Sequence, residues 1–171
     1  MQANLINDLI IINDEALANS LHSKGFIGNL EKKRLELSGV EAFYLLSKNK
    51  IKVFRKKKEL TEKEFADFFS KKDKRFIIKC KIFSDLRNSG FIVKTALKYG
   101  FDFRVYDKGS KIGQDHAKWL AYCISQNDSL KIIDYSRMIR VCHSVKKSMI
   151  LGIIDDEGDA TYFESHWEKM K

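Results

Sequence analysis

The chain contains no proline, only three cysteines, and no run of about eighteen uncharged apolar residues of the kind a membrane-crossing helix needs. The missing apolar run leaves no transmembrane candidate, so no membrane partner is expected. Cys80, Cys123 and Cys142 are odd in number and lack a CxxC pair, which argues against a disulfide framework and a zinc site. They are expected to be small buried hydrophobes in a reducing, cytoplasmic compartment. The amino terminus, MQANLINDLIIINDEAL, has no basic start ahead of its apolar stretch and carries acids early, against a secretory signal. Neither a low-complexity segment nor an internal repeat interrupts the chain.

What is present is an ordinary globular composition with an excess of positive charge. At 171 residues and 44% apolar, the chain can bury one or two real cores. The net charge of +9 and pI near 9.4 favour a polyanionic partner, of which nucleic acid is the commonest.

Apolar residues alternating over 5–12 and again over 15–27 predict short strands punctuated by Gly25 and Gly28. Ser38 with Glu41, and Thr61 with Glu64, are capping-box pairs that each open a short helix. Between them IKVFR predicts a strand leading into the basic run 55–58, read as a solvated turn or a strip touching RNA. The wholly polar stretch SKKDKR marks a boundary between a small amino-terminal α/β domain, 1–75, and a carboxy-terminal domain, 76–171.

Beyond that boundary, FIIKCKIFSDLRNSG predicts a helix stopped at Gly90. Strands follow in FIVKTALKYG, DFRVY and HAKWLAYCIS. Asp134 is expected to cap a helix over YSRMIRVCHSV. KSMILGII reads as a strand buried on both faces, and an acidic turn, Asp155 to Asp159, precedes a last strand in ATYFESHW. The expected fold class is therefore α/β (α+β), the second domain being a mixed sheet flanked by two helices, a layout that resembles restriction-type nucleases.

Within 101–119, FDFRVYDKGSKIGQDHAKW, a tyrosine ends one strand and a histidine precedes the next across a glycine-containing loop. That arrangement brings Tyr106 and His116 to one rim of the sheet. With a lysine, Lys147 or its neighbour Lys146, they form a set able to cut RNA without a metal. Histidine titrates near neutrality and suits the acid that protonates the leaving 5′-oxygen. A lysine ammonium suits the crowded phosphorane. Tyrosine, with a free pKa of about 10, is the weaker choice for the base that activates the 2′-hydroxyl. No residues stand at metal-ligand spacing, and no cofactor is expected.

The segments GFIVKTALKYGFDFRVYDKG and RVCHSVKKSMILGIIDDEGDATYF, with the histidine between them, resemble the carboxy-terminal domain of archaeal tRNA-splicing endonucleases. The likeness implies Tyr106 as general base, His116 as general acid and Lys147, the second basic position of its motif, as the transition-state cation. It also implies that Arg140 stacks on an extruded base, as a flat guanidinium can. The second arginine of that clamp has no counterpart, since no arginine follows Arg140. By the same likeness His143 is structural, the substrate is precursor tRNA with a bulge–helix–bulge, and the 155–159 turn docks on a neighbouring subunit of a homotetramer. A heterotetramer is the other assembly. A non-catalytic RNA-binding subunit on the same fold would lack the three residues. A metal-dependent DNA nuclease would need a Glu-x-Lys after Asp102 and Asp107, which is missing.

Overall fold

The computed structural model describes residues 2–96 and 100–170. It divides into two compact units, Met1–Phe83 and Ser84–Lys171.

The first unit opens with a hairpin, β1 (Gln2–Ile6) and β2 (Leu9–Ile12). The expected strand over 15–27 is instead a helix, α1 (Glu15–Gly25). Asp14 decides the outcome: its carboxylate accepts the Leu17 N–H at 2.9 Å, and Glu15 suits the positive end of the first turn. Leu17 and Ala18 bury against the sheet, so a helical stripe, not strand alternation, accounts for the apolar positions. A second hairpin, β3 (Asn29–Glu31) and β4 (Arg34–Leu37), leads to α2 (Gly39–Ser47). A third, β5 (Lys52–Arg55) and β6 (Lys58–Leu60), leads to α3 (Glu62–Ser70). The basic run is the turn of this third hairpin. Both expected capping boxes form, Ser38 with Glu41 and Thr61 with Glu64.

The six strands make one sheet in the order β3-β4-β2-β1-β5-β6, with β1 and β5 parallel. Its inner face carries Ala3, Leu5, Ile10, Ile12, Leu35, Leu37 and Val53, all buried. Against the helices sits an aromatic cluster: Phe65 and Phe69 lie 4.8 Å apart, and Phe76 stacks on Phe69 at 5.1 Å.

Helix α4 (Phe76–Asn88) ends before Gly90, which sits at φ 92°. The second unit continues through β7 (Ile92–Thr95), β8 (Phe103–Tyr106), β9 (Trp119–Ser125), α5 (Ile132–Ser144), β10 (Ser148–Ile154) and β11 (Ala160–Ser165). This is the helix and strand order expected from the sequence. Part of the strand expected in FIVKTALKYG, residues 97–99, lies outside the described residues. The sheet order is β11-β10-β9-β8-β7, with β9 and β10 parallel and joined by α5, and the other pairs antiparallel.

Beneath α5, Phe101, Leu120, Cys142 and Met149 form a buried cluster ringed by Met138, Ile139, Val141 and Val145. Asp134 is not the cap of this helix. The helix begins at Ile132, three residues earlier than expected, after Lys131, and Asp134 in its first turn pairs with Arg137 at 3.2 Å. β10 is buried less evenly than expected. Met149 and Ile154 are enclosed, whereas Ile150 faces a hollow of about 290 Å³ shared with Leu86, Val105 and Trp119.

Candidate active site at the ends of three strands

Three neighbouring strands bring Tyr106 and Lys147 to one end of the second sheet, with Lys118 between them. Tyr106 is the last residue of β8, and Val105 pairs with Trp119, the first residue of β9. Ser148, the first residue of β10, also pairs with Trp119. One position outward, the Lys118 N–H donates to the Val105 carbonyl at 3.0 Å, and the Ser148 N–H donates to the Lys118 carbonyl at 3.2 Å. Lys118 is thus flanked by Tyr106 on one side and Lys147 on the other. With strands about 4.8 Å apart, the backbones of Tyr106 and Lys147 stand roughly 10 Å from each other.

Alternation sets which way these side chains lean. Val105 and Trp119 face the hollow beneath α4, while Leu120 and Met149 pack under α5. Tyr106, Lys118 and Lys147 fall on the α5 side by the same count. Lys118 and Lys147 line an open depression of about 360 Å³ with His143, Lys146 and Ser148. Its lining among the described residues carries three lysines and no carboxylate, so the depression attracts anions. Tyr106 is 7% exposed and outside this lining, and His116 is exposed, two residues ahead of Lys118.

The loop that carries His116 is two successive polar turns. The Asp107 carboxylate accepts the Lys108 N–H at 2.9 Å, and the Asp115 carboxylate accepts the Lys111 N–H at 2.6 Å. Gly109 and Gly113, at φ 78° and 97°, supply the left-handed residues these turns require. The loop is tied to the strand ends through Lys118, whose ammonium lies 3.9 Å from Asp107 and 4.4 Å from the centroid of the Trp119 ring.

Lys147 is set by the end of α5. Its N–H donates to the Cys142 carbonyl at 2.9 Å, while the Lys146 N–H donates to His143 at 3.0 Å with Lys146 at φ 55°. That is the Schellman closure of a helix, with Lys146 at the left-handed position. A strand beginning at Lys147 was expected to turn the two lysines to opposite faces. The strand begins at Ser148, and both lysines line the depression. Burial pushes the Cys142 thiol up to about 11, against the opposing pull of the nearby Lys147 ammonium.

Arg140 is exposed on α5, one turn ahead of His143. The His143 ring lies 4.7 Å from Trp167, in the segment after β11. Lys118 and Ser148 are the lining residues not singled out from sequence, and His143 was expected to be structural. The signal for Lys118 was its place two residues after His116, on the same side of a period-two pattern. Among the described residues, no three His, Cys, Asp or Glu side chains converge as metal donors.

Residues 76–162 match the family tRNA intron endonuclease, catalytic C-terminal domain, and residues 1–66 match tRNA intron endonuclease, N-terminal domain. The chain belongs to the tRNA intron endonuclease family. It is 35% identical to the tRNA-splicing endonuclease of Methanothermobacter thermautotrophicus over 167 residues, 98% of this chain and 97% of that one. It is 38% identical to that of Pyrococcus furiosus over 166 residues, 97% of this chain and 95% of that one. Against the tRNA-splicing endonuclease of Nanoarchaeum equitans the identity is 36%, covering 78% of this chain and 90% of the other. The strand ends at Tyr106, Trp119 and Ser148 lie inside the segment that matches the catalytic domain of these tRNA intron endonucleases.

Proposed function

We propose that this endonuclease excises introns from precursor tRNA at bulge–helix–bulge sites by attack of a ribose 2′-hydroxyl on the adjacent phosphate. Tyr106 takes the 2′-hydroxyl proton as the 2′-oxygen bonds to phosphorus. The bond from phosphorus to the 5′-oxygen breaks, and His116 in its protonated form gives that oxygen a proton. Lys147 holds the negative charge that builds on the non-bridging oxygens, where a fixed cation acts most strongly. The products are a 2′,3′-cyclic phosphate and a 5′-hydroxyl. Because the nucleophile belongs to the substrate, the reaction needs no metal-bound water, and DNA, lacking that hydroxyl, is not cut.

The single observation that carries this reading is the row formed by Tyr106, Lys118 and Lys147 across three adjacent strand ends in the catalytic domain. Lys118 adds a second cation beside Lys147. Arg140, exposed on α5, stacks on an extruded base, and Trp167 beside His143 is the aromatic surface closest in kind to a second clamp. A substrate with two symmetric cuts calls for two active sites. A homotetramer in which the 155–159 turn contacts a neighbouring copy supplies them.

The test is cleavage of a bulge–helix–bulge RNA by purified protein in EDTA, with the new ends analysed for cyclic phosphate. Cleavage is expected in chelator, and His116→Ala should slow it by about 10²–10⁴-fold. Activity that disappears in EDTA and returns with magnesium would overturn the mechanism, and a loss under threefold removes His116 from the acid role.

A further inference from the structure

A separate depression lies in the amino-terminal unit, far from these strand ends in sequence. It is a groove of about 620 Å³ between the β5–β6 hairpin and α3. Leu60 and Phe68 form apolar parts of its wall, and four cations, Arg55, Lys56, Lys58 and Lys71, line it against two carboxylates, Glu64 and Asp67. One of those carboxylates is already neutralised. Glu64 pairs with Lys58, whose ammonium is the main reason its carboxyl is held at about 2, and it also closes the capping box with Thr61.

The remaining cations are held open. The Arg55 guanidinium lies 4.6 Å from the centroid of Phe68, whereas the Lys72 ammonium, 4.8 Å from the same ring, is already paired with Asp8. A guanidinium resting on a ring keeps its edge and its charge available for a planar or phosphate partner. Arg55, Lys56, Lys57 and Lys71 are exposed and show no ion pair among the described residues.

The backbone at the tip adds a separate observation. Lys56 and Lys57 both sit at positive φ, 47° and 69°, in a two-residue hairpin turn that Asn-Gly fills without strain. A like turn in β3–β4, Lys32 and Lys33 at φ 43° and 71°, is a built-in control. There the Lys33 ammonium is 3.2 Å from Glu15, and neither lysine lines the groove.

We propose that the groove walled by Arg55, Lys56, Phe68 and Lys71, with Lys57 at its tip, is a second RNA contact that binds backbone phosphates of the substrate. This deepens the reading of the chain as an endonuclease acting on RNA and rests on it for the partner. Phosphates are the partner the groove fits: Arg55, Lys56 and Lys71 outnumber its one remaining carboxylate, Asp67, and an aromatic face lies beside them.

The experiment compares two matched charge reversals in the full chain, Lys56→Glu with Lys57→Glu and Lys32→Glu with Lys33→Glu. Binding is measured by anisotropy on a precursor tRNA carrying 2′-deoxy residues at the cut sites, across a salt series. The first pair should weaken binding about tenfold or more and lower the salt slope by roughly 2, while the second changes affinity less than twofold. A third variant, Lys56→Asn with Lys57→Gly, relieves the turn while deleting the charge. It should melt higher than wild type and still bind RNA more weakly.

Equal effects from both reversals would overturn the proposal, as general electrostatics. So would unchanged RNA affinity with a smaller assembly mass, which would assign the groove to an acidic segment of a second copy. Failure of the wild-type protein to cut RNA would strike the proposed function alone, because the binding comparison stands without cleavage.

Discussion

Lys146 and Lys147 differ by one position, and backbone geometry separates their roles. Lys146 fills the left-handed closing position of α5, where glycine is the unstrained residue, and Lys147 is anchored by the Cys142 carbonyl where the chain enters β10. Lys146→Gly should therefore keep catalysis within about threefold and raise stability by about 0.5–1 kcal/mol, since the position loses its backbone strain. Lys147→Ala should retain the fold and lower the single-turnover rate by about 10²-fold or more, the scale for removing one transition-state charge partner. Single-turnover kinetics with thermal melts check both, and the opposite pattern would hand the catalytic role to Lys146.

At the scale of elements, the short helices of the first unit stand on local caps more than on periodicity. Asp73 does this at the entry to α4. Its carboxylate accepts the Arg75 N–H at 2.9 Å and the Lys79 ammonium at 2.7 Å, and its carbonyl accepts the Phe76 N–H at 2.9 Å. Partial burial pushes its pKa up, but the hydrogen bonds from Lys79 and Arg75 outweigh that and hold it below the usual carboxylate value. A carboxyl with a depressed folded-state pKa stabilises the fold at pH values above its unfolded value of about 3.9, and that stability fades as pH falls through the folded value. Asp73→Asn should thus lower stability at pH 7, with a smaller gap to wild type at pH 3 than at pH 7. Thermal melts at both pH values check this; an equal gap at each would mean the charge contributes nothing. Caps also explain where element reading succeeded. Ser38 with Glu41 and Thr61 with Glu64 announce their helices in four residues, whereas α1 announces itself through Asp14 alone, and its Ala and Leu spacing mimics a strand.

At the scale of the whole molecule, the 155–159 turn and the edge strand β11 are the surfaces that the proposed homotetramer uses. The turn is built by Asp155, whose carboxylate accepts the N–H groups of Gly158 and Asp159 at 2.8 Å each, while Asp156 receives the Asn127 amide. Glu157 and Asp159 keep their carboxylates exposed. β11 ends its sheet with Phe163 54% exposed. Light scattering should give the wild-type protein a mass near four times 19.9 kDa. Glu157→Lys with Asp159→Lys should reduce it, leaving the turn's own hydrogen bonds in place. A monomeric wild-type protein would remove the tetramer.

The amino-acid sequence alone determined the basic character, the order of elements in the second unit, and the residue types able to cut RNA. Each of those is written in composition, caps and short-range spacing. It missed α1, the true start of α5 and the strand boundary at Ser148, because competing local patterns there differ by less than one packed helix face contributes. The convergence at the strand ends belongs to the tertiary structure. Only the pairing of β8 with β9 and of β9 with β10 brings Tyr106 and Lys147 to either side of Lys118, and register is a property of a folded sheet that no stretch of chain carries by itself.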